Sequence, residues 1–275
     1  MIDQARADQA YGHVCWSSDD PAAFDSRARE FVDEGLAAGE RVWYVTAGDP
    51  TGRAAPRRPL AGLPADAPPG AVQVVALAQT YRRGPRVDPS AQVDAYASVT
   101  EAALAAGYTG LRVVADVTPL VRTPAQLDAF ARYEHLVDRY MRARPMSALC
   151  AYDRRELGDR AVAELACLHP ETNAPVLFRL FAADPGRAYA LTGELDPSNH
   201  ELFRQALSRV DPPGPDGRLV LRAAGLRYID HRCLLHLDDH ARRHGLTVEL
   251  RTAGTAAAHL VELLGLSRVR VAGAR

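Results

Sequence analysis

A short apolar run that ends in helix-start residues and turns directly into a 3.6-residue apolar period recurs along this chain. That alternation leaves few folds open. In the first instance His13–Ser17 has strand character, and Ser18-Asp19-Asp20-Pro21 supplies N-cap candidates with a proline suited to a first helical turn. Phe24, Ala28, Phe31, Val32 and Leu36 then recur at helical spacing up to Gly39. Further strand runs lie at Arg41–Ala47, Ala71–Leu77, Leu111–Val117 and Ser147–Tyr152. Helices are expected from Pro89 to about Gly107, from about Pro124 to Arg142 and over Arg154–Cys167. Buried-type strands alternating with helices predict an α/β fold with a mostly parallel sheet. The Pro/Gly-rich segment Gly48–Gly70 reads as a loop.

At His169–Pro175, HPETNAP, two prolines and polar residues interrupt the pattern and mark a boundary between units 1–174 and 175–275. Beyond it, Val176–Ala182 and Ala188–Leu191 read as strands around a turn at Asp184-Pro185-Gly186. A helix over Ser198–Val210 and a Pro/Gly loop over Asp211–Gly217 follow. The stretch Leu219–Leu237, LVLRAAGLRYIDHRCLLHL, reads as strand, short connection and helix, with Asp230 as N-cap and Cys233, Leu234, Leu237 and Ala241 facing inward. A strand at Leu246–Arg251, a helix at Ala256–Leu264 and a last apolar run at Val269–Val271 complete the pattern.

Charge and composition exclude several functions. A formal net charge of -1 over 275 residues supplies no basic field for nucleic acid or an anionic membrane. All 33 basic residues are arginine, which leaves no lysine for Schiff-base or P-loop chemistry. No apolar run reaches membrane-spanning length, and MIDQARADQAYGH lacks the apolar core of a signal peptide. Cys15, Cys150, Cys167 and Cys233 have no close spacing, which suits reduced thiols and a cytoplasmic location.

Specific motifs then narrow the reading. GHVCW, FVDEGLAAGERVWYVT, GLRVVADV, YEHLVD and ALCAYD with a later LHP, spread over Gly12–Ala174, resemble the MEDS sensory domain of methanogen and methylotroph proteins. The resemblance implies a RecA/KaiC-like parallel-sheet domain that binds a small molecule. It points at His13, Arg112, Asp116, Glu134, Cys150, Tyr152 and His169, and Cys15 joins them from the first strand. Where a P-loop would carry glycines, lysine and a hydroxyl, the chain has Ser17-Ser18-Asp19-Asp20-Pro21. Asp116 stands at a Walker B position without a phosphate cradle, so ATP hydrolysis is not expected.

From about Leu177 to Val271, the segment AYALTGELD, the helix after it, LVLRAAGLRYID and HLVELLGLSRVRV resemble a STAS domain, the fold of anti-sigma factor antagonists. That implies a partner of the anti-sigma factor or serine-kinase-like class. Carried over by position, the family's Asp-Ser-Ser-Gly falls on Asp230, His231, Arg232 and Cys233, with His236 beside them, and Arg222 replaces the aspartate that usually ends the preceding strand. A kinase finds no serine hydroxyl at residue 231.

The expectation is a non-enzymatic signalling protein without a cofactor, in which ligand binding in the first unit alters partner binding by the second. The alternative is a nucleotide-binding protein or enzyme built on the RecA-like half. In an open α/β sheet ligands bind at the carboxyl ends of the strands. That edge should carry Ser17, Ser18, Thr46, Asp116, Thr118, Tyr152 and Asp153. Blander roles stand beside these: Cys15 and Cys150 as small core residues, Arg112 with Glu134 as a structural pair, His169 as the polar end of a helix. His13, Cys15, Cys150 and His169 are ligand types for zinc or haem, yet their spacings match no metal motif. Nothing orients His169 as a base for a Cys150 nucleophile. His236, His240 and His244, four residues apart, read as a solvated helical stripe.

Overall fold

The computed structural model describes residues 12–46, 67–81, 86–186, 188–210 and 217–273. Most of the loop expected over Gly48–Gly70, nearly all of that over Asp211–Gly217 and the chain before Gly12 lie outside the described residues.

The first unit runs β1 (His13–Ser18), α1 (Pro21–Ala37), β2 (Arg41–Thr46), β3 (Val72–Ala76), the short α2 (Leu77–Thr80), α3 (Pro89–Ala105) and β4 (Leu111–Asp116). A 3-10 turn at Thr118–Leu120, α4 (Pro124–Ala143), β5 (Met146–Asp153), α5 (Arg154–Ala166) and β6 (Glu171–Thr172) follow. All six strands are parallel, in the order β3-β2-β4-β5-β1-β6. The helices begin where a short polar side chain can accept from free first-turn amides. Asp20, Asp88, Thr123 and Asp153 each do so, and Thr123 completes a capping box with Gln126. Every residue of β5 is buried, as an inner parallel strand covered on both faces requires.

Strand alternation divides the side chains between two layers. Val14, Val42, Val114 and Leu149 pack with Ala28, Phe31 and Val32 of α1. Cys15, Val113, Cys150 and Tyr152 face the opposite layer with Phe130, Tyr133 and Val137 of α4 and Leu165 of α5.

The second unit comprises β7 (Phe178–Ala182), β8 (Ala188–Leu195), α6 (His200–Arg209), β9 (Arg218–Arg222), β10 (Leu226–Ile229), α7 (His231–His244), β11 (Thr247–Arg251), α8 (Thr255–Leu263) and β12 (Val269–Ala272). Its sheet is mixed: β10-β8-β9-β11-β12 are parallel and β7 is antiparallel to β8. The expected passage from one strand straight into α7 is corrected here, because β10 intervenes and pairs with β8. Arg227 and Tyr228 of β10 are exposed, so no buried run announces it. Gly193 sits in β8 where β7 and β10 both meet it, with φ +93. A Cβ there would lie 2.1 Å from the Leu177 carbonyl oxygen, so only glycine fits.

The two units share one core. The apolar cluster that contains Cys15 and Phe130 continues through Phe178, Leu191 and Leu237 to Val269. Across the junction the Leu180 amide donates to the Cys167 carbonyl at 2.7 Å, and the Ala182 amide donates to Asp138 Oδ2 at 2.7 Å. Arg209 of α6 pairs with Glu164 of α5 at 2.8 Å and Asp128 of α4 at 3.3 Å. Arg139 of α4 reaches the Tyr189 hydroxyl. Helix α4 is thus covered by the parallel sheet on one side and by β7 and α6 on another.

Candidate functional site

The candidate residues separate into three places. At the carboxyl ends of β1, β2, β4 and β5, beside the start of α1, lies a cleft of about 440 Å³. Its wall includes the rings of Trp16, Phe24 and Tyr44 and the acidic residues Asp20, Asp25, Asp116 and Asp153, with Arg155 as the one basic residue among the described residues. Asp153 holds that guanidinium at 3.1 Å. Burial, then the charges of Asp25 and Asp116, push the Tyr44 phenol upward, so the carboxylates crowd the ring. Asp20 accepts from the Ala22 amide at 2.9 Å and thereby occupies the helix N-terminus that a phosphate-binding loop would leave open. Among the described residues its wall is thus mainly acidic and aromatic. Of the sequence candidates, Asp116 and Tyr152 contribute to it, as do Ser18, Thr46 and Asp153 from the expected edge.

Arg112 does not reach the cleft, and its suggested pairing with Glu134 is overturned. It points to the α1 layer, bonds Glu40 and Glu34, and stacks over Phe31 at 4.4 Å. Its position in β4 has the parity opposite to that of residues facing α4, and this makes contact with Glu134 impossible.

His13, Glu134, Cys150, Tyr152 and His169 form the second place, a fully buried polar cluster between β1, β5 and α4. His13 Nε2 lies 3.0 Å from Glu134 Oε2 and its Nδ1 lies 3.2 Å from Asp138 Oδ1. The Tyr152 hydroxyl donates to Glu134 Oε1 at 2.8 Å. His169 Nδ1 donates to the Leu165 carbonyl at 2.9 Å, and its ring lies 4.1 Å from that of His13. The Cys150 sulfur sits 3.9 Å from His13 Nε2 and 4.0 Å from Glu134 Oε2. Burial alone would lower the His13 pKa, but the bonds and charges of Asp138 and Glu134 outweigh it and raise it to about 9. Burial and the neighbouring His13 drive His169 the other way, to about 4. Burial opposes ionisation of Glu134, yet His169, His13 and the Tyr152 hydroxyl together hold it below the ordinary carboxylate range. Burial pushes both Cys15 and Cys150 thiols upward, which makes them inert in this state. Cys15 is in the same layer but bonds none of the polar members that the others share.

Asp138 belongs to this cluster and was not among the sequence candidates. Its signal was present: it stands four residues after Glu134 in α4 and so shares its face. The aromatic wall of Trp16, Phe24 and Tyr44 was also missed, since each reads equally well as core.

The third place is the start of α7. Asp230 and Cys233 are buried, and Asp230 accepts from the Cys233 amide at 2.8 Å, so both shape the helix rather than offer contact atoms. His231 and Arg232 are exposed. His236 is half-buried, and its Nε2 lies 3.2 Å from Nδ1 of His200 on α6. Tyr228 and Leu235, 52% and 44% exposed, add an apolar component that no motif had singled out. The solvated histidine stripe is corrected at its middle member, since His240 is only 5% exposed.

Among the described residues no helix is long and apolar enough to cross a membrane. The family description "MEDS: MEthanogen/methylotroph, DcmR Sensory domain" matches residues 12–170, and "Mlab, STAS domain" matches residues 186–271. No curated protein matches the chain.

Proposed function

Because the chain belongs to the MEDS sensory family over residues 12–170 and carries a STAS domain behind it, we propose that it is a signalling protein in which ligand binding in the first unit controls partner binding by the second. The domains meet near residue 174. One observation carries the reading: a continuous buried polar route joins the cleft to the second sheet. Tyr152 belongs to the cleft wall and donates to Glu134; Glu134 meets His13, His13 meets Asp138, and Asp138 accepts the Ala182 amide of β7. A ligand that moves β5 by a few tenths of an ångström changes bonds that end on β7. Control requires only that the ligand prefer one of two arrangements.

The ligand class follows from the cleft wall: a small neutral or cationic molecule with apolar surface, not a nucleotide. The partner is an anti-sigma factor or serine-kinase-like regulator that docks on Tyr228, His231, Arg232 and Leu235. Control passes through the ligand, because residue 231 offers a kinase an imidazole instead of a serine hydroxyl. The chain acts by binding and performs no chemistry of its own.

Calorimetric titration of the full chain against the kinase-fold anti-sigma factors of its own genome tests the assignment. One of them should bind, and Leu235→Asp should weaken the complex about tenfold or more, the effect of losing a buried interface anchor. Failure of every candidate to bind, or indifference to Leu235→Asp and Arg232→Glu, overturns the partner assignment. A larger rise in melting temperature with ATP than with small amines would favour the nucleotide-binding alternative.

A further inference from the structure

We propose that His13 Nε2, Glu134 Oε2, Cys150 Sγ and His169 Nε2 form a binding site for a zinc-class divalent cation at the junction of the two units. The four donor atoms all lie within 4.8 Å of one another, and every one of the four residues is buried. Their closest approaches are 3.0 Å for His13 to Glu134, 3.6 Å for His169 to Glu134, 3.9 Å for Cys150 to His13 and 4.0 Å for Cys150 to Glu134. A tetrahedral zinc with ligands at about 2.0–2.3 Å separates its donors by about 3.3–3.8 Å. With every donor pair within 4.8 Å, closing the cage around an ion takes shifts of no more than about one ångström. Two imidazoles, a carboxylate and a thiolate also form a donor set that favours zinc over the hard cations calcium and magnesium.

The atoms behind the donors make the stronger argument. Metal-bound histidine is normally oriented by a carboxylate or carbonyl on its other nitrogen, and a bound carboxylate by a further hydrogen bond. Each of these supports is present. His13 Nδ1 faces Asp138, His169 Nδ1 donates to the Leu165 carbonyl, and Glu134 Oε1 accepts from Tyr152. The Leu165 bond fixes the His169 tautomer and leaves a lone pair on Nε2. That atom is wholly buried, points into the cluster and has no hydrogen-bond partner. An unpaired acceptor that faces a carboxylate at 3.6 Å and a thiol can offer its lone pair to a Lewis acid held among them.

The ligands arise from β1, α4, β5 and the turn after α5, which is why no spacing motif marks them. With four protein donors the site is closed, so the ion braces β1, β5 and α4 together and, through Asp138, the Ala182 amide of β7.

The test uses the full chain produced in zinc-supplemented medium and dialysed against metal-free buffer, with metal content by mass spectrometry. One zinc per chain is expected, and His169→Gln should weaken retention about tenfold or more. Cobalt-loaded protein should show a thiolate-to-cobalt charge-transfer absorption that Cys150→Ser removes. The surface group His200, Glu201 and His236 is a rival binding place, so His236→Gln should change neither result. The proposal is overturned if wild type retains only traces of metal, if His169→Gln and Cys150→Ser both bind as wild type does, or if His236→Gln alone abolishes binding. Should the buried variants fail to fold, the wild-type cobalt spectrum decides, because a tetrahedral signal without thiolate absorption excludes Cys150.

Discussion

Arg112 and Asp116 lie on the same strand and the same face, four residues apart, yet they do unrelated work. Arg112 sits near the amino end of β4, where Glu40 and Glu34 engage its guanidinium and Phe31 stacks on it. Asp116 ends the strand and enters the cleft wall. Arg112→Ala leaves the buried Glu40 carboxylate without its partner and should destabilise the fold by about 3 kcal/mol in urea unfolding. Binding of a small amine in the cleft should be unchanged in that variant. Asp116→Asn should show the opposite: near-normal unfolding and weaker amine binding by thermal shift. Equal amine affinity in wild type and Asp116→Asn would remove this carboxylate from the site. Residue types alone did not distinguish these roles, since an arginine and an aspartate on one strand read as a functional pair until the neighbours from α1 are known. Glu134, Cys150, Tyr152 and His169 were legible as candidates from the motifs around them. Their convergence was not, because it depends on the crossing of α4 over β1 and β5.

At the scale of elements, the parallel sheet was readable because its inner strands are buried on both faces and its helices start with Asp or Thr caps. The second sheet was less so. Its edge strand β10 shows two consecutive exposed residues, Arg227 and Tyr228. Gly193 marks the place where β8 changes neighbours. Gly193→Ala should cost about 2 kcal/mol or more, from the left-handed backbone and the Leu177 carbonyl, read as a lower urea midpoint. An unchanged midpoint would mean that β7 can shift away from β8 at little cost. Helix α7 carries a second expectation. Burial, then His244 and Arg243, lower the His240 pKa to about 4, below the ordinary histidine value of 6.5. The unfolded chain therefore takes up a proton between pH 6.5 and 4 that the folded chain refuses. The contribution is complete above pH 6.5 and is lost as pH falls toward 4, by about 2 kcal/mol. His240→Gln should flatten that part of the stability profile, measured by urea unfolding at pH 7 and pH 5. Parallel profiles for the two proteins would show that the imidazole accepts its proton without cost.

For the whole molecule, the decisive feature is that the units are not beads on a linker. Helix α4 contributes Phe130, Tyr133 and Val137 to a core that continues into the second unit. Asp138 of the same helix holds a β7 amide from within the polar cluster of the first unit. An apolar junction of this kind, with Arg209 paired to Glu164 and Asp128 across it, makes separate unfolding of either unit expensive, because each would expose surface that the other covers. Wild type should thus unfold in one calorimetric transition whose measured enthalpy equals the van't Hoff enthalpy. Asp138→Asn is the informative substitution. The amide keeps the size of the side chain, but its one carbonyl oxygen cannot serve both His13 and the Ala182 amide, and its NH2 group faces donors. The change should cost about 3 kcal/mol, the scale for removing one charge of a buried pair. Hydrogen exchange at Ala182 should move from the slow, global class to a faster local opening, while β11 and β12 stay as protected as in wild type. Two separated transitions in wild type, or an Ala182 amide that exchanges equally slowly in both proteins, would show that Asp138 does not join the units. In that case a signal from the cleft would need another route to β7.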